Sequence, residues 1–431
     1  MQSAYRPIRV ALLGAGSVGA QVARLLLENS EELAKRVGSE LELSGIAVRD
    51  TKAKRSADLP AKLFTDDAES LILSSDIVIE LIGGIEPARS WITLALNSGA
   101  DVITANKALI AAHGPELLEL AEQLGAQLYY EAAVGGAIPI IRPLRESLAG
   151  DRINRVMGIV NGTTNYILDQ MESTGADFQD ALSEAQELGY AEADPTADVE
   201  GFDAASKAAI LASLAFHSEV AVEKVHREGI TSVNALQIET ARQAGYTVKL
   251  LAICERVGDG LVARVHPTLI PLSHPLAAVR GAYNAVFVEA ESAGRLMFYG
   301  AGAGGPETAS AVLGDLVSAA KRHLAGGPGI SDSTHANLEA LPVQRVNTRF
   351  QITLEVDDQP GVLASIAKEF ASHGVSVETV AQSASSDGNN AALLTIMTHM
   401  ANEGDLEELV AKLEKNASVL RVNSVIRVEG I

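Results

Sequence analysis

The sequence predicts an α/β fold, with a doubly wound parallel sheet followed by an α+β domain and a small C-terminal βαββαβ unit. Strand-like and helix-like segments alternate from residue 8 to about residue 137, and such alternation is typical of a parallel sheet with right-handed crossovers. Longer helical stretches mixed with alternating apolar runs follow, up to about residue 325. Residues 348–431 carry a separate strand and helix pattern.

Composition limits the class of protein. A chain of 431 residues corresponds to two or three domains, and 47% hydrophobic with 21% charged residues is typical of a soluble globular protein. The net charge of −21 argues against a nucleic-acid or anionic-membrane surface. The single cysteine fits a reducing compartment, and no signal peptide or membrane-spanning run is recognisable. We therefore expect a cytoplasmic protein without nucleic-acid or membrane partners.

The first strand leads into a glycine-rich motif. The apolar run Ile8–Leu13 precedes Gly14, Ala15, Gly16, Ser17, Val18 and Gly19, and a helical pattern follows. Gly14 would permit the tight turn, Gly16 the approach of a pyrophosphate, and Gly19 close helix–strand packing. This context predicts a Rossmann-like dinucleotide site formed by these six residues. A glycine turn that binds no nucleotide is the alternative.

The end of the second strand bears on the choice of cofactor. The predicted strand Leu41–Val48 is followed by Arg49 and Asp50. An acid at this point holds the ribose 2′-hydroxyl of NAD, whereas an arginine accommodates the 2′-phosphate of NADP. Arg49 therefore favours NADP, and Asp50 keeps NAD open. An ordinary solvated turn is the alternative.

Ligands bind at the carboxyl ends of the strands in doubly wound sheets. Three further strands are predicted at Asp76–Ile82, Asp101–Asn106 and Gln127–Val134. Lys107 follows the second of these directly, so we expect it to face the nicotinamide end of a bound cofactor. Glu131 is expected as an acid near the end of the third.

An acidic segment, residues 189–207, ends on a lysine that opens an apolar helix. Asp203 and Lys207 are four residues apart and therefore share a helix face. Burial lowers the pKa of a lysine, while a nearby carboxylate favours its charged form, and acid–base catalysis needs such tuning. A solvated loop with one helical salt bridge is the alternative. The nine histidines show no metal-ligand spacing, so no catalytic transition metal is expected.

The C-terminal segment predicts a ferredoxin-like unit behind a linker at residues 326–347. Its predicted elements are a strand at Arg349–Val356, a D-Q-P-G turn at 358–361 followed by a helix, strands at Val375–Ser383 and Ala391–Met400 joined by a turn at Asp387-Gly388, a helix at Asp405–Lys415 and a strand at Leu420–Val428. This order is β-α-β-β-α-β. The fold by itself gives the unit no function.

With these segments the sequence resembles the homoserine dehydrogenases, in the monofunctional form with a C-terminal ACT domain. The motifs that carry the resemblance are GAGSVG at 14–19, TANKALIA at 104–111, EAAVGGAIPII at 131–141, NGTTNYIL at 161–168, the segment 189–207, GAGAGG at 300–305 and DQPGVL at 358–363. The resemblance implies interconversion of L-aspartate 4-semialdehyde and L-homoserine with NADP or NAD, in the biosynthesis of threonine, methionine and isoleucine. No aspartate-kinase region precedes these motifs, so the bifunctional form is not expected.

The resemblance also implies a division into domains. A nucleotide-binding domain spans residues 1–137 plus 302–325, and a catalytic substrate and dimerisation domain spans residues 138–301. The linker at 326–347 is followed by the ACT regulatory domain at 348–431. We expect threonine as an effector acting through the ACT domain, and a homodimer or homotetramer.

Site residues follow from the same resemblance. Lys207 is expected to donate a proton to the aldehyde oxygen, with Lys107 assisting near the nicotinamide. The expected substrate-binding residues are Glu192, Asp198 and Asp203, and of these Asp198 and Asp203 are also expected to orient Lys207. The expected cofactor-binding residues include Lys107, Gly189 and Gly304. The expected sodium ligands are the carboxylate of Glu131 and the carbonyls of Val134, Gly136 and Ile138. Ligands made of oxygen alone suit a hard cation.

Two other classes of protein would share some of these features. An aldehyde-acylating dehydrogenase needs a cysteine nucleophile beside a histidine base, but Cys254 lies in an apolar, strand-like run. A non-catalytic redox or amino-acid sensor would bind nucleotide without turnover. Absorbance at the reduced-nicotinamide band with homoserine and NADP distinguishes the sensor from the enzyme.

Overall fold

The computed structural model describes residues 6–55, 57–326, 332–384 and 391–430. The chain forms two compact units. The first unit comprises Met1–Gly162, Asp203–Glu223 and Ala282–Leu338, and the second comprises Thr163–Phe202, Lys224–Gly281 and Glu339–Ile431. Within the described ranges, no helix is long and apolar enough to cross a membrane.

The described residues form eighteen strands. In chain order these are β1 (Ile8–Leu13), β2 (Leu41–Ala47), β3 (Phe64–Thr65), β4 (Ile77–Glu80), β5 (Asp101–Thr104), β6 (Leu128–Tyr129), β7 (Ile153–Ile159), β8 (His226–Arg227), β9 (Tyr246–Val257), β10 (Gly260–Pro271), β11 (Tyr283–Ala290), β12 (Gly294–Ala301), β13 (Glu339–Ala340), β14 (Asn347–Asp357), β15 (Val377–Ala384), β16 (Ala391–Thr398), β17 (Ala401–Asn402) and β18 (Val419–Val428).

The same residues form fourteen α-helices. They are α1 (Ser17–Glu28), α2 (Ser30–Val37), α3 (Ala68–Leu73), α4 (Ala88–Asn97), α5 (Lys107–Leu124), α6 (Ala132–Gly135), α7 (Gly162–Thr174), α8 (Phe178–Glu187), α9 (Thr196–Val199), α10 (Phe202–Phe216), α11 (Ala235–Gln243), α12 (Gly305–Ala325), α13 (Val362–Ser372) and α14 (Glu403–Leu413).

The first unit is built on a parallel six-stranded sheet in the order β3-β2-β1-β4-β5-β6. Its core joins apolar residues of β1, β2 and β4 to apolar faces of α1 and α12. An antiparallel group, β12-β11-β7, completes the unit. The predicted doubly wound sheet is therefore confirmed, and α12 returns to it from far along the chain.

Two elements of the first unit differ from the prediction. The run Gln127–Val134 forms only the short strand β6, and its second half belongs to helix α6. The prediction failed here because a short apolar run is compatible with either a buried strand or a buried helix. The sequence also predicts a helix around Pro115–Leu124, but α5 begins at Lys107, eight residues before Pro115. The side chain of Asn106 caps α5 by accepting a hydrogen bond from Leu109 N (3.2 Å), so Pro115 is an interior residue and not a start signal.

The second unit contains the predicted βαββαβ arrangement, in the order β14-α13-β15-β16-α14-β18. Its sheet order is β18-β14-β16-β15, and β18 also pairs in parallel with β10 of the β9–β10 hairpin. Apolar residues of α13 and α14 pack on one side of this sheet. The predicted Asp387-Gly388 turn lies outside the described residues.

Part of the predicted linker is packed into the second unit. Residues 327–331 lie outside the described ranges, but β13 pairs with β10, and Val343 and Val346 are buried. Residues 339–346 therefore do not form a loose connection, because apolar residues among the polar ones anchor them. Each compact unit combines three segments of the chain, so the two units do not correspond one to one with the predicted domains. The domain boundaries therefore stay a prediction.

The glycine motif gives a test of packing in the first unit. A Cβ on Gly19 would lie 2.2 Å from the backbone oxygen of Gly14, whereas a Cβ on Gly16 would meet no atom within 4 Å. Gly19→Ala should therefore cost about 1–3 kcal/mol of stability, which is typical of overpacking. The matched Gly16→Ala protein should unfold close to the wild-type temperature in a calorimetric scan. Equal thermal shifts in both variants would show that Gly19 is not packed in this way.

Candidate active site

One buried carboxylate joins the two lysines that the sequence singled out. Asp203 Oδ2 lies 2.8 Å from the Lys207 Nζ atom, and Asp203 Oδ1 pairs with the Nζ atom of Lys107. The side-chain amide of Asn161 donates to Asp203 Oδ2 at 3.0 Å. All four residues belong to the first unit. The structure therefore brings Lys107, Asp203 and Lys207 into a single ion-paired cluster.

Helix α10 positions two members of this cluster. Asp203 lies in its first turn, where the helix dipole favours a negative charge, and Lys207 follows one turn later on the same face. Lys207 is buried and also donates to the carbonyl oxygen of Val160, 2.6 Å away. An ammonium group has three N–H donors. Asp203 and Val160 take two of them, and within the described residues the third has no protein acceptor.

Lys107 reaches the cluster from the other side. It is the first residue of α5, and its side chain is 46% exposed, against 9% for Lys207. Asn106 fixes this helix start, since its amide also donates to the carbonyl of Gly84 at 2.6 Å. The carboxyl ends of β4 and β5 are further joined by a 2.6 Å hydrogen bond from Thr104 to Glu80. The accessible lysine therefore projects from the strand ends of the parallel sheet, where ligands bind in such folds.

The cluster fixes the charge of Asp203. Burial by itself would raise the pKa of this carboxyl, but the ammonium groups of Lys207 and Lys107 hold it well below its usual range. Asp203 is therefore a carboxylate at neutral pH and cannot serve as the proton donor. It can orient both lysines and balance part of their charge.

The structure places the glycine motif between β1 and α1 as predicted. Gly14 has φ +98°, a conformation that favours glycine, and α1 begins at Ser17 without a side-chain cap. The N–H groups at such a helix start can bind phosphate. Gly304 precedes α12, and a Cβ on Gly305 would lie 3.0 Å from the Ser17 carbonyl, so the second glycine-rich loop lies beside the first. Both loops fit a dinucleotide.

Arg49 is exposed just beyond β2, as the sequence predicts. The side chain of Asp50 accepts a hydrogen bond from Lys52 N at 2.8 Å, and its carbonyl accepts one from Arg55. Asp50 is thereby engaged in forming the turn. Both side chains are exposed and can contact a ligand.

Glu131 lies two residues after β6, at the start of α6. Its Oε1 accepts hydrogen bonds from Ile140 N and Ile141 N at 2.6 and 2.8 Å, and its Oε2 accepts one from Arg142 N at 3.0 Å. The Arg142 guanidinium lies 3.8 Å away. The carboxylate therefore holds the turn at residues 140–142, and the nearby Arg142 guanidinium is itself paired with Asp315. The carbonyls of Val134, Gly136 and Ile138 suit a hard cation chemically, and sodium there stays a prediction.

Three predicted site residues belong to the second unit. Gly189 and Glu192 are exposed, and Asp198 lies in the short helix α9. The carbonyl of Glu192 accepts a hydrogen bond from Gln186 at 3.0 Å, which orders the segment locally. The roles of these three residues stay predictions.

The buried cysteine excludes an acylating mechanism. Cys254 lies within β9 and is fully buried, and burial raises the pKa of its thiol to about 12. The reactive species in acyl transfer is the thiolate. A neutral thiol without access to solvent cannot act as the nucleophile.

Asn161 is the site residue that sequence reasoning did not assign. Asn161 is the first residue of the NGTTNYIL motif at residues 161–168. Its contact with Asp203 joins residues that are 42 positions apart. The motif marks Asn161 in the sequence, but the fold is needed to show that its side chain contacts Asp203.

Three family models match parts of this chain. The family model for homoserine dehydrogenase matches residues 139–317, the model for its NAD-binding domain matches residues 14–131, and the model for the ACT domain matches residues 350–418. A homoserine dehydrogenase of Corynebacterium glutamicum is 54% identical, with 98% of this chain and 96% of the relative covered.

Solved structures give the same result. A homoserine dehydrogenase from Thiobacillus denitrificans has a TM-score of 0.92 at 39% identity, with 98% of each chain covered. A hyperthermophilic archaeal homoserine dehydrogenase in complex with NADPH has a TM-score of 0.63 at 28% identity, covering 75% of this chain and all of that one. Likeness of this extent in sequence and fold shows that the chain belongs to the homoserine dehydrogenase family, whose members are NAD(P)-dependent oxidoreductases.

Proposed function

We propose that the lysine cluster performs the proton transfer in the interconversion of L-aspartate 4-semialdehyde and L-homoserine, with Lys207 as the proton donor. The observation that supports this most directly is the buried Asp203 carboxylate shared by Lys107 and Lys207. Two cations held beside one another suit a site where negative charge develops on a substrate oxygen.

The nicotinamide cofactor, when bound, supplies or accepts the hydride. Hydride arrival at the aldehyde carbon leaves negative charge on the oxygen, which must be stabilised and protonated. Lys207 suits this step because Asp203 and Val160 fix its ammonium group and leave one N–H for the substrate. In the opposite direction, the neutral amine of Lys207 takes the proton from the hydroxyl of homoserine.

The neighbouring residues have positioning roles. Asn161 fixes Asp203 Oδ2, so the carboxylate cannot rotate away from Lys207. Lys107, which is more exposed, adds a second positive charge toward the cofactor side. The family resemblance supports Glu192 as a residue that contacts polar groups of the substrate and Asp198 as one that orients the substrate.

Lys207→Ala tests the assignment of the proton donor. The variant should bind cofactor nearly as the wild type does but lose about a hundredfold or more in kcat, the usual scale for an acid–base group. Lys35→Ala, on the surface of α2, is the matched control and should retain full turnover. Near-normal kcat in a folded Lys207→Ala protein would transfer the role to another group.

Asp203→Asn tests the charge of the cluster through stability. Because the pKa of Asp203 is lowered in the folded protein, its contribution to stability is present above the unfolded pKa of about 4 and is lost as pH falls through the folded value. The difference in unfolding temperature between wild type and Asp203→Asn should therefore be largest near pH 7 and shrink toward pH 3. A difference that grew on acidification would contradict the ion pairs.

We further propose that NADP is the preferred cofactor. Arg49 is exposed at the end of β2, Asp50 is engaged in the turn, and the archaeal relative was solved with NADPH. A guanidinium group can pair with the 2′-phosphate that distinguishes NADP from NAD.

Arg49→Ala provides the corresponding measurement. The KM for NADP should rise by about tenfold or more, since a charge-assisted hydrogen bond contributes about 1.5–3 kcal/mol. The KM for NAD should change little in the same steady-state assay. A similar rise for both cofactors would show that Arg49 does not contact the phosphate.

Threonine is the proposed effector, and the proposed site is the D-Q-P-G loop of the ACT domain. Gly361 lies at φ +96° before α13, and this helix start has no side-chain cap, so its N–H groups are available to a carboxylate. Strand β15 ends the described sheet, and Val380 on it is exposed. An unpaired edge strand with apolar surface favours pairing with a second copy, which supports a homodimer or homotetramer.

Asp358→Ala should weaken threonine inhibition while leaving the uninhibited kcat unchanged. Allosteric coupling requires that threonine bind two states unequally, so the inhibition curve should move to at least tenfold higher threonine. Asp259→Ala, in the β9–β10 turn, is the control. This point variant is preferable to truncation after residue 347, because truncation would expose the edge of β10 that pairs with β18. An unchanged inhibition curve would place the effector site elsewhere.

A further inference from the structure

The second unit contains a cavity of about 400 Å³ beside α14, away from the residues discussed so far. Its walls combine apolar side chains, including Phe350, Leu406, Val410 and Val425, with several carboxylates. We propose that this cavity binds a small primary ammonium compound with an apolar body. The proposal concerns a new site and does not depend on the roles assigned to the lysine cluster.

A buried carboxylate oxygen without a donor is the central observation. Glu403 lines the cavity and is only 1% exposed. The Oε1 atom of Glu403 accepts hydrogen bonds from two nitrogen atoms of the Arg427 guanidinium, Nε (2.8 Å) and Nη2. Its Oε2 is also buried, yet in the described part of the chain it has no hydrogen-bond partner. A buried acceptor left unpaired is unfavourable, so this oxygen is suited to an N–H donor from a ligand.

The charges around the cavity select for a cation. Glu228, Glu403, Glu407 and Glu414 line it, against the single guanidinium of Arg427. That guanidinium is already engaged, since it contacts Glu228 at 2.9 Å as well as Glu403. His226 pairs with Glu228 at 2.7 Å, and even in its protonated form it would leave the lining net negative. A ligand that carries its own carboxylate would be repelled, because no positive group is free to receive it.

The apolar walls indicate what must be attached to the ammonium group. Phe350 is 3% exposed and Leu406 is 1% exposed, so the cavity is backed by the core of the sheet and α14. A volume of 400 Å³ lies within the usual range for small-molecule sites. An alkyl or aromatic amine fits this combination, whereas threonine, a polar zwitterion, does not. The cavity is therefore distinct from the proposed effector site at Asp358.

Titration calorimetry with hexylammonium chloride on the full-length protein tests the proposal. We expect saturable binding at one site per chain with a Kd of about 1 mM or tighter, in line with the affinity that a seven-atom ligand can reach. Hexanoate and hexanol, which keep the apolar body but lack the positive charge, should not saturate. Absence of saturable hexylammonium binding, or equal binding of hexanoate, would overturn the proposal.

Two variants locate the site. Glu403→Gln should weaken hexylammonium binding at least about tenfold, the scale of a hydrogen bond to a charged group. Ala411→Phe should also abolish binding by filling the cavity, and it keeps the ion pairs intact because Ala411 is an exposed lining residue. If Glu403→Gln does not fold, Ala411→Phe decides the question. Glu408→Gln, on α14 but outside the lining, should bind normally. Unchanged binding in Ala411→Phe would contradict this location.

Discussion

The ion pairs of the buried Asp203 carboxylate are the interaction on which the candidate active site depends. A carboxylate in the protein interior is unfavourable unless cations and hydrogen bonds compensate it. Lys207, Lys107 and Asn161 together provide that compensation. Because each comes from a different segment of the chain, the carboxylate also acts as the point at which α5, α10 and the end of β7 are held together. The same contacts hold two ammonium groups in place for chemistry.

Local structure explains why these groups can meet. Helix α10 is lined with alanines, which allow its first turns to be buried closely while Lys207 extends to Val160. The cap by Asn106 starts α5 at Lys107, so that this lysine lies at the strand ends. The glycine loops before α1 and α12 lie on the same unit and leave helix starts free for phosphate. The glycine loops and the lysine cluster therefore belong to the same compact unit.

The sequence predicted those parts of the site whose residues lie close together along the chain. The glycine motif and the Asp203–Lys207 pair are local patterns, and both were predicted. The contacts from Lys107 and Asn161 to Asp203 connect distant segments, so only the fold could show them. The predicted strand Gln127–Val134 was too long, because the apolar run around Glu131 suits a strand and a helix equally. The Arg427–Glu403 pair beside the acidic cavity gave no sequence signal, since its members lie in separate elements.

The central claim is that Asp203 couples Lys107 and Lys207 into one functional unit. The most direct measurement compares kcat in Lys107→Ala, Lys207→Ala and the double variant, each shown to be folded by circular dichroism. If the lysines act through the shared carboxylate, the double variant should lose little more activity than the worse single variant, as is usual for residues that act together. A loss in the double variant equal to the product of the two single losses would show that the lysines act independently, and would contradict this account.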